Sequence, residues 1–192
     1  MDFNDFKKRI ERVYASIGQM STEDYQKQIR WKPGTFEFSF GSKENATDES
    51  KVVSTISAIA DLKDNIKNKM SSVGLKPQLV EDEINKSLYL QLITDLDNQQ
   101  KHGYPLTKSK RSGLDPLIKN VKSVVSFTVT QSDNFISFDL TTGKVTPTGA
   151  VAKGEIDAEI TDSTGKVICD LDELITTAMS TWENFIATHK LA

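Results

Sequence analysis

The densest group of residues able to do chemistry is the stretch Asp95-Leu96-Asp97-Asn98-Gln99-Gln100-Lys101-His102-Gly103-Tyr104-Pro105-Leu106. It gathers two carboxylates, an asparagine, two glutamines, a lysine and one of the chain's two histidines. An imidazole titrating near neutrality can serve as general acid or base, and Asn98 lies four residues away, on the same face of a helix. The same residues also spell a helix end. Lys101 and His102 suit the negative pole of the dipole, Gly103 can take the left-handed cap, and Pro105 cannot continue the helix. That ending does not account for Asp95. Counted on from Leu88 and Leu92, Asp95 falls on the apolar stripe, as do Gln99 and His102, and buried polar groups need partners. The candidate polar cluster is Asp95, Asn98, His102 and Lys63. Lys63 joins it because it fills the one gap in the apolar stripe of the preceding helix, where a lysine must reach water or meet an acid such as Asp95.

Two long helices must position this cluster. From Asp48 to Ser72 the residues Val52, Ile56, Ile59, Ile66, Met70 and Val73 recur at heptad-like spacing, closing at Gly74. From Pro77 to His102 the stripe is Val80, Ile84, Leu88 and Leu92, flanked by Tyr89, Ile93 and Leu96. The short Gly74–Pro77 link predicts an antiparallel helical hairpin. Ahead of it, Phe3, Phe6, Ile10, Val13, Tyr14 and Ile17 predict a helix over Asp2–Ile17. Ser21-Thr22-Glu23-Asp24 then predicts the start of a short second helix that ends before Lys32-Pro33-Gly34. Thr35–Phe40 alternates aromatic and polar residues as a half-buried strand does, with nothing to say whether it joins a larger sheet.

After the basic loop Tyr104–Pro116 the period changes to two. Runs at Val121–Val129, Phe135–Leu140, Gly149–Thr161 and Val167–Cys169 predict an antiparallel meander of about four strands with one wet face. Asp170 with Glu173 three residues on starts a final helix whose stripe is Leu171, Leu174, Ala178, Trp182, Phe185 and His189. Trp182 reads as a core anchor, and His189 as helix-end packing. The fold class is α+β in a single domain over residues 1–192. It is helical over 1–32, 48–102 and 170–190 and strand-rich over 119–169, with the small sheet inserted before the last helix.

The totals narrow the function classes. The chain has 192 residues, 37% hydrophobic and 27% charged, enough to bury a core. A net charge of −3 gives no global pull toward nucleic acid or anionic lipid. A single Cys169 excludes an internal disulfide framework and a cysteine-based zinc site. With the polar opening Met1–Tyr14, the expected compartment is the cytoplasm, and Asn45-Ala46-Thr47 is a chance sequon. No run approaches the roughly 20 apolar residues of a membrane helix. Asp95, Asn98 and His102 with Asp61 or Asp64 lack the repeated Glu-x-x-His pattern of bundle metal sites, so no metal and no cofactor is expected. Lys108, Lys110 and Arg111, with Lys101, are the cations able to contact RNA or phosphate. The glycine spacing of a P-loop, a nucleophile elbow, a kinase set and a dinucleotide fingerprint are absent.

Asn98-Gln99-Gln100-Lys101-His102 at the end of a long helix, with the final Trp182-Glu183-Asn184-Phe185-Ile186-Ala187-Thr188-His189-Lys190-Leu191, resembles bacterial proteins with HEPN-like helical bundles, over roughly half the chain. In ribonucleases of that class an arginine, usually followed by asparagine, precedes the histidine by five positions. Asn98 and His102 match, but Asp97 stands at the arginine position, where an aspartate would repel the scissile phosphate. The resemblance therefore implies a degenerate, non-enzymatic interaction or binding module, with a homodimer through the helical hairpin as the expected partnership. The competing expectation is a metal-independent endoribonuclease of toxin or defence type. There His102 and Asn98 would be catalytic, and Lys101, Lys108, Lys110 or Arg111 would hold the phosphate.

Overall fold

The computed structural model describes residues 26–32, 35–41, 46–105, 110–128, 135–138, 145–148 and 151–191, in an α+β arrangement. The helix expected over Asp2–Ile17 lies outside these residues. Val52, Thr55, Ile56, Ile59, Leu62, Ile66 and Met70 recur every three or four residues and are all buried along helix α1, Ala46–Ser72. Leu62, fully buried, completes this stripe in place of Lys63, which is half-buried beside it. Val73 falls beyond the helix and is 51% exposed. The helix closes with a Leu75 N–H bond to the Met70 carbonyl (2.9 Å) and a Gly74 N–H bond to that of Ser71 (3.2 Å). This double closure needs a positive φ at its turning residue, and Gly74 supplies one of 76°.

The second rod, expected unbroken from Pro77 to His102, is two helices: α2, Gln78–Lys86, and α3, Leu88–His102. Ser87 between them is extended (φ −103°, ψ 113°), and its Oγ accepts from the Leu90 N–H at 3.4 Å. Serine competes with the helix by capping it, and here the cap wins. The interruption resets the helical phase. Leu88, expected on the stripe, is 42% exposed, while Leu90, Leu92, Ile93 and Leu96 are buried.

Residues 26–32 are also not helical. They form strand β1, Gln26–Lys32, paired antiparallel with β2, Thr35–Gly41, from Lys32↔Thr35 to Gln26↔Gly41. Only Pro33 and Gly34 separate the two strands, a spacing for tight reversal. A partner strand so close favours the extended conformation over residues 26–32, while the expected helix start at Ser21–Asp24 lies outside the described residues.

The strand-rich region is not a sequential meander. Strands β3 (Leu117–Thr128), β4 (Phe135–Phe138), β5 (Val145–Thr148), β6 (Val151–Thr161) and β7 (Val167–Asp170) divide between two sheets. One is five-stranded in the order β1-β2-β3-β6-β7, and the other pairs β4 with β5. Every pairing is antiparallel, so the strand over residues 35–41 joins the main sheet between β1 and β3.

On β6, Ile156, Ala158 and Ile160 are buried while Asp157 and Glu159 are half-exposed, the alternation of a sheet with one covered face. Cross-strand register puts Ser123 beside Ile156 and both Ile118 and Cys169 beside Ile160 on that face. Helix α4, Leu171–Thr188, packs there. Asp170 caps it by accepting from the Glu173 N–H at 2.7 Å. Leu171, Leu174, Ala178, Trp182 and Phe185 are buried as expected, and Trp182 meets Phe185 edge to face at 6.1 Å. His189 lies against Phe185 at 4.4 Å, at the helix end. The Tyr89 hydroxyl donates to Glu173, which ties α3 to α4 and pushes the phenol pKa up. Buried Asp48 accepts from Ser123 Oγ at 2.7 Å and ties α1 to β3. No helix among the described residues is long and apolar enough to cross a membrane.

Candidate functional site between α1, α3 and β3

Helix α3 carries two buried aspartates, two residues apart and so on different faces. Asp95 is 0% exposed. Its Oδ1 accepts from the Arg111 N–H (2.9 Å), and its Oδ2 accepts from the Ser112 N–H (2.9 Å) and the Ser112 hydroxyl (2.6 Å). Ser112 Oγ in turn accepts from the Leu114 N–H at 3.2 Å. The buried acid on the stripe is thus the anchor of the loop between α3 and β3, a fully satisfied carboxylate rather than a free reactant.

The other members of the predicted cluster do not gather around it. Lys63 is half-buried on α1, Asn98 is half-buried on α3 and His102 is exposed in its last turn. None of the three side chains makes a hydrogen bond or ion pair with another described residue. Gly103 then ends α3 at φ 83° and ψ 167°, an extended conformation open essentially to glycine alone rather than the expected left-handed cap.

The predicted phosphate contacts are engaged elsewhere. Arg111 Nη1 lies 2.7 Å from Glu81 Oε2, and Lys67 bonds the same carboxylate. Burial pushes the Glu81 carboxyl up, but the hydrogen bonds from Lys67 and Arg111 outweigh it and hold the group below the usual range. Lys110 pairs with Asp115. Lys101 Nζ bonds Asp97 Oδ2 at 2.7 Å and lies 3.9 Å from Asp61. That bond, against some desolvation, raises the lysine pKa. Lys108 lies outside the described residues. No group of three or more His, Cys, Asp or Glu side chains fit for a metal occurs among the described residues.

Asp97 borders a cavity of about 220 Å³ lined by Val53, Ile56 and Ser57 of α1, Leu96, Asp97, Gln99 and Gln100 of α3, Tyr104, and Ile118 of β3. Two of these wall residues carry buried polar atoms with no hydrogen-bond partner among the described residues, Asp97 Oδ1 and Gln99 Nε2. Asp97 is 6% exposed. Asp115 Oδ1, Thr161 Oγ1 and Trp182 Nε1 are also unpartnered but do not belong to this wall. An orphaned buried acceptor costs about 1–3 kcal/mol, so it calls for an explanation.

No family model, curated protein or solved structure matches this chain. The functional reading is therefore carried by the site itself. Sequence reasoning noticed Asp97 only as an acid in place of an arginine, and passed over Ser57 and Tyr104. A usable signal was present. Ile93, Asp97 and Lys101 recur at four, so an acid sits on an apolar line one turn before a lysine able to hold it.

Proposed function

We propose that the chain is a cytoplasmic, non-enzymatic binding module. In this reading its helices are a degenerate HEPN-like bundle that acts as scaffold, with α1 and the split rod α2–α3 as an antiparallel hairpin. The observation that carries the reading is the pair of orphaned polar atoms in the wall of a cavity whose other described lining mixes Val53, Ile56, Leu96, Tyr104 and Ile118 with Ser57 and Gln100. Apolar walls with a few placed polar groups are the pattern of small-molecule sites. At about 220 Å³ the cavity lies below the usual range for drug-sized ligands, which points to a small one.

Nuclease chemistry receives less support. The described cations that would hold a phosphate are neutralised by Asp97, Asp115 and Glu81. Among the described residues His102 has no partner to orient its ring.

Two measurements test the reading. A fragment library titrated into the ¹⁵N-labelled chain should shift amides of residues 53–57 and 96–104. If no fragment moves them, the binding-module reading is lost. RNA incubated with the protein in EDTA should survive as it does with His102→Ala. EDTA-resistant cleavage that disappears in the variant would replace the binding module with an endoribonuclease.

A further inference from the structure

The wall residues also define what kind of molecule fits, and this step rests on the binding-module reading above. Among the described residues no lysine, arginine or histidine lines the cavity, and Asp97 is the one charged side chain that does. A phosphate or carboxylate entering there would meet the Asp97 carboxylate, whose Lys101 ammonium is already engaged by it. A cation would meet a carboxylate that Lys101 already holds at 2.7 Å, and would sit against that ammonium. What remains is an uncharged donor for Asp97 Oδ1. Gln99 Nε2 asks for the reverse, an acceptor. The same wall includes Val53, Ile56, Leu96 and Ile118, and Tyr104, 48% exposed, adds an aromatic side chain.

We infer that the cavity binds an uncharged, ring-sized molecule carrying a carboxamide or lactam group. The ligand N–H is donated to Asp97 Oδ1, and the ligand carbonyl accepts from Gln99 Nε2. Both protein atoms are sealed from solvent, so binding includes a rotation of the Asp97 or Gln99 side chain that turns them toward the ligand. No bond is made or broken. Recognition comes from satisfying two groups that the fold leaves unpaired.

The test uses four probes of one shape: benzamide, benzoate, benzamidinium and methyl benzoate, each titrated into the full chain and followed by ¹H–¹⁵N correlation spectra. Benzamide should shift the amides of residues 96–104 saturably and bind at least about tenfold more tightly than the other three, the discrimination expected when a ligand leaves site hydrogen bonds unmade. Tyr104→Ala, at an exposed position that leaves the fold intact, should weaken benzamide several-fold. Ser57→Phe, checked for folding by circular dichroism, should abolish its binding.

Benzoate or benzamidinium binding as tightly as benzamide would overturn the inferred ligand class and leave the cavity standing as a site. Methyl benzoate binding as tightly would remove the donor from the argument. If none of the four binds, the inference falls, and the fragment titration separately decides whether the binding-module reading falls with it.

Discussion

Asp95 and Asp97 share one helix turn, one residue type and near-complete burial, yet they do opposite things. Asp95 uses both oxygens on three donors from a loop sixteen and seventeen residues ahead. Asp97 uses one oxygen on the lysine a turn below it and leaves the other idle in a cavity wall. The difference teaches that burial of an acid says little by itself. What matters is how many of its acceptor sites the surrounding chain fills.

The comparison can be broken most easily at Asp95. Asp95→Ala strips the acceptor from two backbone N–H groups and a hydroxyl, and should lower the unfolding free energy by about 3 kcal/mol in urea titrations. Amide exchange at Arg111 and Ser112 should accelerate. A loss under about 1 kcal/mol would mean the loop holds without its anchor.

Arg111→Met leaves the Arg111 N–H on Asp95 but removes the Glu81 ion pair, and should cost about 1 kcal/mol, less at high salt. Because the folded Glu81 carboxyl is held below its unfolded value, its stabilisation is present above the ordinary glutamate range. It is lost as pH falls through the lower folded value. The variant should flatten that acid arm, and an unchanged acid arm would show that Lys67 alone sets it.

Asp97→Leu sharpens the contrast, since it removes an orphan rather than creating one. Stability should stay within about 0.5 kcal/mol of the parent or rise. A loss as large as that of Asp95→Ala would make Asp97 a second anchor and end the argument for an open site. The alkaline limb offers a further check. The Lys101 pKa is raised by Asp97, so its contribution is complete below the ordinary lysine value and fades as pH climbs through the higher folded one. That fading should be smaller in Asp97→Leu, where only the weaker influence of Asp61 and Asp64 on Lys101 remains.

His102→Ala should change least, within about 0.5 kcal/mol, because the ring is exposed and has no partner among the described residues. A loss above about 1 kcal/mol would show that the end of α3 depends on it.

Much of the helical part was legible in the residues. The period of Val52, Ile56, Ile59, Ile66 and Met70 marks α1, Gly74 marks its end, and Asp170 marks the start of α4, because each is a local signal acting within a turn or two. The break at Ser87 carries no decisive local signal. A hydroxyl one residue before a leucine run is tolerable inside a helix or decisive as its cap, and tertiary packing makes the choice. Strand β1 holds only Ile29 and Trp31 as apolar residues, too few for its period to show without β2 beside it. The order of the main sheet could not be read because β3 and β6 meet across the intervening β4–β5 pair. Asp95 was rightly singled out as an acid in need of partners, but the partners were sought on Lys63. Backbone donors carry no side-chain signature, so Arg111 and Ser112 N–H groups left no mark in the residue pattern.

The joint at Ser87 has one more consequence. A helix turns by about 100° for each residue, so adding or deleting a single position at this hinge would swing α2 around its axis while α3 kept its own orientation. The grip of Glu81 on the loop could thus drift over evolutionary time independently of Asp95. One surface can be retuned while the clasp beneath it stays inherited unchanged.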